Sequence, residues 1–267
     1  MLFSRDLAAI YVYLLIINTP ILCQIVSYTK INSIMSVPKL RILCLHGKQQ
    51  NKEVFRTKLG RIPHKLRNIA ELTIVDAPHV LDTESTSDLI ARTWFYRDSD
   101  NNVDVNSLLI SMEYLRKTWN ESGPFDGVLG FSMGGTVASF LAGHLCRSID
   151  KDNHSAVAAF PGLRFVICAG AVDIHPQLES TIETLQLPLL CPFKIPPEIA
   201  SLHIAGSADT AVPIASSIAL SDRYNQAVFI QHEQGHHIPM KAPILQAIVD
   251  FVSSQQVGAL EQQGTTG

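Results

Sequence analysis

Ser132 sits in Gly130-Phe131-Ser132-Met133-Gly134, preceded by the apolar run Gly127-Val128-Leu129 and followed by a helix-compatible stretch at 136–145. Between a strand and a helix, G-x-S-x-G reads as a nucleophile elbow, a turn so tight that the serine takes a strained backbone conformation and its hydroxyl stands clear of the sheet edge. Glycine at 130 and 134 removes the Cβ atoms that would collide as the helix packs back on the strand. The five residues also arise by chance, and a glycine-rich turn can serve only to turn. The surrounding pattern and the partners elsewhere in the chain decide between the two.

A serine hydroxyl is a poor nucleophile near neutral pH, so a base must take its proton, and a carboxylate must hold that base in the right tautomer. Behind an elbow, the expected order along the chain is serine, acid, histidine. Asp209 lies in Gly206-Ser207-Ala208-Asp209-Thr210-Ala211-Val212-Pro213, and His236 in Gln234-Gly235-His236-His237-Ile238-Pro239. Each loop contains glycine and follows a strand-like run. The expected catalytic residues are therefore Ser132 as nucleophile, Asp209 as acid and His236 as base. Asp209 also suits the N-cap of a helix opening near Val212-Pro213, and the two roles are compatible. Asp173 is the runner-up acid and His237 the alternative base, whereas His232, inside a strand-like run, reads as structural. The developing oxyanion needs fixed donors: the backbone N–H of Met133 is one candidate, and the loop Leu45-His46-Gly47-Lys48 offers the N–H of Lys48 as the second.

Such groups meet only if several strand ends share one edge. From Lys39 onward, apolar runs at 41–45, 72–78, 125–131, 163–172, 201–205 and 227–232 alternate with helical stretches at 54–69, 105–119 and 242–253. Gly60 and Pro63 predict a break in the first of these helices. Alternation of this kind predicts a mostly parallel sheet with helices on both faces. Two stretches interrupt it: 79–102, which contains Trp94-Phe95-Tyr96, and 173–198, rich in Pro and Leu. Both should leave the carboxyl edge of the sheet, either plugging the rim of the core or lining an acyl pocket.

The chain has 267 residues, 46% of them hydrophobic, which fits one α/β domain over 35–257. A formal charge of −3 gives no basic field for nucleic acid. Five cysteines without C-x-x-C pairs suggest neither a disulfide framework nor a zinc site, and they suit a reducing, cytoplasmic compartment. Cys44 and Cys168, inside apolar runs, read as small hydrophobes. Residues 1–34 are an apolar extension with three open readings: a secretory signal, a membrane anchor, or upstream sequence ahead of a start at Met35. A signal at 7–29 would place the protein in the secretory pathway or on a membrane instead. Residues 258–267, polar and glycine-rich, read as a flexible tail.

Leu45-His46-Gly47-x-x-Gln50-Asn51, Asp76-Ala77-Pro78, Arg92-Thr93-Trp94-Phe95, Gly123-Pro124-Phe125-Asp126-Gly127, the elbow, Gly206-x-x-Asp209-x-x-Val212-Pro213 and Gly235-His236-x-x-Pro239 together resemble the FSH-type serine hydrolases of the α/β-hydrolase superfamily. The likeness spans about Lys39 to Val252. It implies an α/β-hydrolase fold, hydrolysis of carboxylic esters that often carry a long alkyl chain, and no metal or other cofactor. An acyl thioesterase is the alternative enzyme, since fungal relatives act on thioesters, and a catalytically silent binding protein is the third reading. Any substrate is a small-molecule ester or thioester. The chain departs from the family pattern at Met133, where glutamine is common, at Lys48, where an aromatic is usual, and at Gln234, which replaces the first glycine of a Gly-Gly-His loop. Lys48 is expected to disfavour cationic substrates.

Overall fold

The computed structural model describes residues 37–81, 90–143, 160–178 and 195–264, with two short strands at 148–149 and 156–157. The expectations for residues 1–34, and for the apolar run at 187–193, lie outside the described residues. In chain order the elements are β1 (Leu40–Leu45), α1 (Lys52–Lys58), α2 (Ile62–Leu66), β2 (Ala70–Val75), β3 (His79–Val80), β4 (Arg92–Thr93), α3 (Val105–Ser122), β5 (Gly127–Phe131), α4 (Met133–Gly143), β6 (Ser148–Ile149), β7 (Ala156–Val157), β8 (Phe165–Ala169), β9 (Ala200–Gly206), α5 (Ile214–Ser221), β10 (Gln226–His232) and α6 (Ala242–Gly264).

The main sheet runs β10-β9-β8-β5-β1-β2, and every neighbouring pair in it is parallel. The chain builds outward from β1 to β2, then returns to the other side of β1 with β5. The strand order therefore reverses between β1 and β5, and in open parallel sheets the region beyond the carboxyl ends at such a reversal is where ligands bind.

Both faces of the sheet are covered, as the alternation of side chains along β1 makes plain. Leu43 and Leu45 enter one layer with Val128 and Val166, beneath Leu108, Leu115 and Trp119 of α3 and Val137 and Phe140 of α4. Ile42 and Cys44 enter the other layer with Leu129, Ile167 and Leu202, under Phe55 of α1 and Ile248 and Val252 of α6. Truncating a fully buried aromatic such as Trp119 to alanine would cost about 3–5 kcal/mol. Cys44 and Cys168 are free and buried, and burial pushes the Cys168 thiol up to about 12, so both behave as apolar filler.

The predicted break in the first helical stretch separates α1 from α2. Asn51 caps α1, its Oδ1 accepting from the N–H of Glu53 at 3.1 Å and of Val54 at 2.9 Å, so the helix opens ahead of the expected residue 54. Trp94 and Phe95 are 0% and 1% exposed and belong to the first layer, so this part of the 79–102 stretch closes the core rather than lining a pocket. At the other end, α6 continues past the expected residue 253 to Gly264. Gln, Ala, Leu and Glu in that extension are good helix formers, and one internal glycine costs only about 1 kcal/mol. Among the described residues no helix is long and apolar enough to cross a membrane.

His203, in the middle of β9, is 1% exposed, and burial pushes its imidazole down to about 4. The folded chain resists a proton that the unfolded chain accepts near pH 6.5, so stability is complete above that pH and falls as pH drops toward 4. Urea unfolding at pH 7 and pH 5 is expected to show a loss for the wild type that is smaller by about 2 kcal/mol in His203→Leu. Equal losses in the two proteins would assign the acid sensitivity elsewhere.

Candidate active site

The site starts at the junction of β5 and α4. Ser132 occupies the one residue between them, with φ at 54°, a left-handed conformation that costs a non-glycine residue free energy unless its surroundings enforce it. They do so on both sides: the Ser132 N–H donates to Ala169 O at 2.7 Å, and Ser132 O accepts from the Thr136 N–H at 3.0 Å. A side chain at Gly130 would run into the Gly134 carbonyl, and one at Gly134 into the carbonyls of Leu45 and His46. The two glycines thus let α4 sit directly on β5 and β1.

Two further loops reach the same edge. The one after β9 carries Asp209 and the one after β10 carries His236. His236 Nε2 lies 2.8 Å from Ser132 Oγ, and its Nδ1 lies 2.6 Å from Asp209 Oδ2. The other carboxylate oxygen, Oδ1, accepts from the N–H of Ala211 at 2.9 Å and of Val212 at 2.8 Å. Orienting the imidazole and tying the turn ahead of α5 are therefore divided between the two oxygens. Burial on its own would raise the Asp209 carboxyl, but the Val212 N–H, His236 and the Ala211 N–H outweigh it and hold the group below its ordinary value. An ionised carboxylate only accepts, so Nδ1 carries the imidazole proton and Nε2 turns its lone pair to the serine. With side chains 2% exposed for Asp209 and 24% for His236, the carboxylate is sealed while the imidazole keeps access to solvent.

The alternatives face elsewhere. Asp173 binds His175 Nδ1 at 2.5 Å and the Arg223 guanidinium. Burial would raise that carboxyl too, and its hydrogen bonds from His175 and Arg223 more than offset the effect. His237 is exposed, with Nε2 3.1 Å from Gln234 Oε1. His232 is buried and its Nδ1 accepts from the Gln234 N–H at 3.2 Å, which braces the loop that carries His236.

Two amides flank the serine. Met133 opens α4, so its N–H has no acceptor within the helix. The loop after β1 runs beside the elbow: a Cβ at Gly47 would stand 3.3 Å from Ser132 Cβ. Lys48 follows with an exposed side chain. Among the described residues its N–H makes no hydrogen bond, whereas the N–H groups of Gln49 and Gln50 are both used. Also among the described residues, no group of three or more His, Cys, Asp or Glu is placed to hold a metal ion.

Three contributors went unforeseen in the sequence. The Phe131 ring lies 4.8 Å from the His236 ring, centroid to centroid, and limits its swing. Thr136 Oγ1 exchanges hydrogen bonds with the backbone of Val172, fastening the strand-end loop beside α4. Gly170, just past β8, has φ at 55°, and a Cβ there would stand 3.0 Å from His236 Cε1 and 3.1 Å from Nδ1. A glycine inside the apolar run at 163–172 was the available signal for the last of these.

Residues 35–248 match the family model described as Serine hydrolase (FSH1). The chain is 30% identical over 235 residues to the esterase OVCA2 of Bos taurus, covering 80% of this chain and 96% of that protein. It is 28% identical over 235 residues to the esterase CG5412 of Drosophila melanogaster, covering 84% and 77% respectively. Among solved structures, the esterase PE8 superposes with a TM-score of 0.56 at 16% identity, covering 82% of this chain and 93% of that one. The Bacillus cereus carboxylesterase gives 0.56 at 15% identity, covering 82% and 90%. The fold is that of the α/β-hydrolases.

The space kept open at Gly170 has a measurable consequence. Gly170→Ala is expected to lower kcat at least tenfold against an activated ester, because both the backbone strain and the added methyl group displace the imidazole. Steady-state kinetics on folded variant check this, and a wild-type kcat would show that the imidazole tolerates the displacement.

Proposed function

Because the chain belongs to the FSH1 serine hydrolase family, we propose that it is a serine esterase that cleaves carboxylic esters, of the alkyl-chain kind, through an acyl-enzyme on Ser132. The observation that carries this reading is the unbroken line from Ser132 Oγ through the His236 ring to Asp209, at 2.8 Å and 2.6 Å. The names of its relatives, esterases in cattle and fly, lend support.

In this mechanism the Ser132 hydroxyl adds to the acyl carbon while its proton passes to His236 Nε2. The imidazolium that forms is stabilised by Asp209, which stays ionised throughout. Negative charge gathers on the former carbonyl oxygen, and the Met133 and Lys48 amides supply the donors for it. Collapse breaks the bond to the alcohol oxygen, which leaves with the proton held by His236. Water then enters, gives a proton to His236 and attacks the acyl-enzyme, and the carboxylic acid departs as Ser132 recovers its hydrogen. Removing one oxyanion donor would cost about 10²–10³ in kcat, and removing serine or histidine up to about 10⁶.

Compartment and substrate follow the same reading. A cytoplasmic protein acting on an oxygen ester is the expectation, with the thiol ester of the same acid as the comparison substrate. The direct test is a fluorophosphonate probe, which phosphonylates an activated serine. Wild type is expected to label and to release a burst of chromogenic alcohol from an activated ester, while Ser132→Ala does neither and keeps its circular dichroism. Labelling that persists in the folded Ser132→Ala protein would overturn the assignment.

A further inference from the structure

The loop from His46 to Gln50 is held far more firmly than a strand-ending turn requires. His46 is 0% exposed. Its Nε2 accepts the Ala77 N–H at 3.0 Å, which leaves the ring proton on Nδ1, and Nδ1–H donates to Gly47 O at 2.8 Å. The same oxygen accepts the Gln50 N–H at 3.3 Å. One peptide plane is rigid, so two donors on the Gly47 carbonyl also fix the direction of the N–H on its far side, which belongs to Lys48.

The preceding peptide is fixed at both ends as well. Trp94 Nε1–H donates to His46 O at 2.8 Å, and the Gly47 N–H donates to Gln50 Oε1 at 3.2 Å. Beyond it, Gln49 adopts φ of 63°, strained for a side-chain-bearing residue. Its N–H donates to Arg92 O at 2.9 Å, and the Arg92 N–H donates to Gln50 O at 2.9 Å. The circuit closes through the Arg92 side chain, whose Nη1–H donates to Ala77 O at 2.9 Å. Every backbone N–H from Gly47 to Gln50 thus has an acceptor among the described residues except that of Lys48.

Resting on the esterase reading above, we infer that His46 and Trp94 are positioning residues for the oxyanion. They lock the two peptides around Gly47 so that the Lys48 N–H is held, unspent, toward the substrate oxygen at Ser132. This gives the Arg92-Thr93-Trp94-Phe95 segment a task beyond filling the core: its indole N–H and its backbone hold the loop that stabilises the transition state. A donor preset in this way acts on the tetrahedral state more than on bound substrate, so its loss falls on kcat rather than KM.

The test compares Trp94→Phe, which keeps an aromatic ring and loses the N–H, with His46→Leu and His46→Asn. Asparagine places an amide N–H where Nδ1–H stood. Active sites are counted with the fluorophosphonate probe, and kcat, KM and inhibition by an alkylboronic acid, which forms a tetrahedral adduct on serine, are measured per site. Trp94→Phe and His46→Leu are expected to lose about tenfold or more in kcat with KM within twofold, and boronate affinity should fall by the same factor. His46→Asn should recover most of the loss. Wild-type kcat and boronate affinity per titrated site in Trp94→Phe and His46→Leu would overturn the inference. Should those two variants fail to fold, Gln50→Met, which removes the acceptor of the Gly47 N–H, takes the same measurements with the same two outcomes. A wild type that forms no Ser132 adduct would defeat the esterase reading itself, whereas unchanged variants of a labelled wild type defeat only this inference.

Discussion

A carboxylate almost sealed from water must have its oxygens satisfied, and Asp209 meets that demand in only one way. With its side chain 2% exposed, it takes two backbone N–H groups on one oxygen and the His236 ring on the other. Burying a charge without such partners would cost several kcal/mol. The demand couples two loops from adjacent strands, β9 and β10, and fixes the imidazole at a single angle. The position of the His236 ring relative to Ser132 follows from it, because β9 and β10 belong to the same sheet as β5.

Around that link, three residues at the carboxyl edge take a left-handed backbone. Ser132 at φ of 54°, Gln49 at 63° and Gly170 at 55° all lie at the carboxyl edge, on the loops after β5, β1 and β8. Each is held by hydrogen bonds or close packing: Ser132 by Ala169 and Thr136, Gln49 by Arg92, and Gly170 by Ile204 and the His236 ring. The core beneath makes this possible, since helices on both faces leave the strand ends little freedom to relax. The strand order that reverses between β1 and β5 then sets the elbow and the Lys48 loop side by side.

The sequence made part of this legible. The turn at Ser132 was readable because G-x-S-x-G carries its own geometry, and the convergence of the Asp209 and His236 loops on it was readable because each follows a strand-like run and contains glycine. The parallel sheet came from the alternation of apolar runs with helical spacing. What spacing alone could not reach is contact between distant segments. Nothing local tells that Trp94 donates to the carbonyl of His46, or that Gly170 makes room for an imidazole. The extent of α6 was missed for a different reason: its later residues are polar, so they lack the apolar periodicity that marks a helix, yet their intrinsic preference is helical. Phe131 was read as part of the elbow, and its second contact, on the ring of His236, became visible only when the loop after β10 was in place.

The central claim is that Ser132, His236 and Asp209 act as one proton-passing unit rather than as three separate contributors. A double-mutant cycle measures this: kcat for one activated ester in Ser132→Ala, in His236→Ala and in the variant carrying both changes. The account predicts that the double variant is no slower than the worse single variant, because removing either residue already disables the unit. Losses that multiply, so that the double variant is slower by the product of the two single effects, would contradict it.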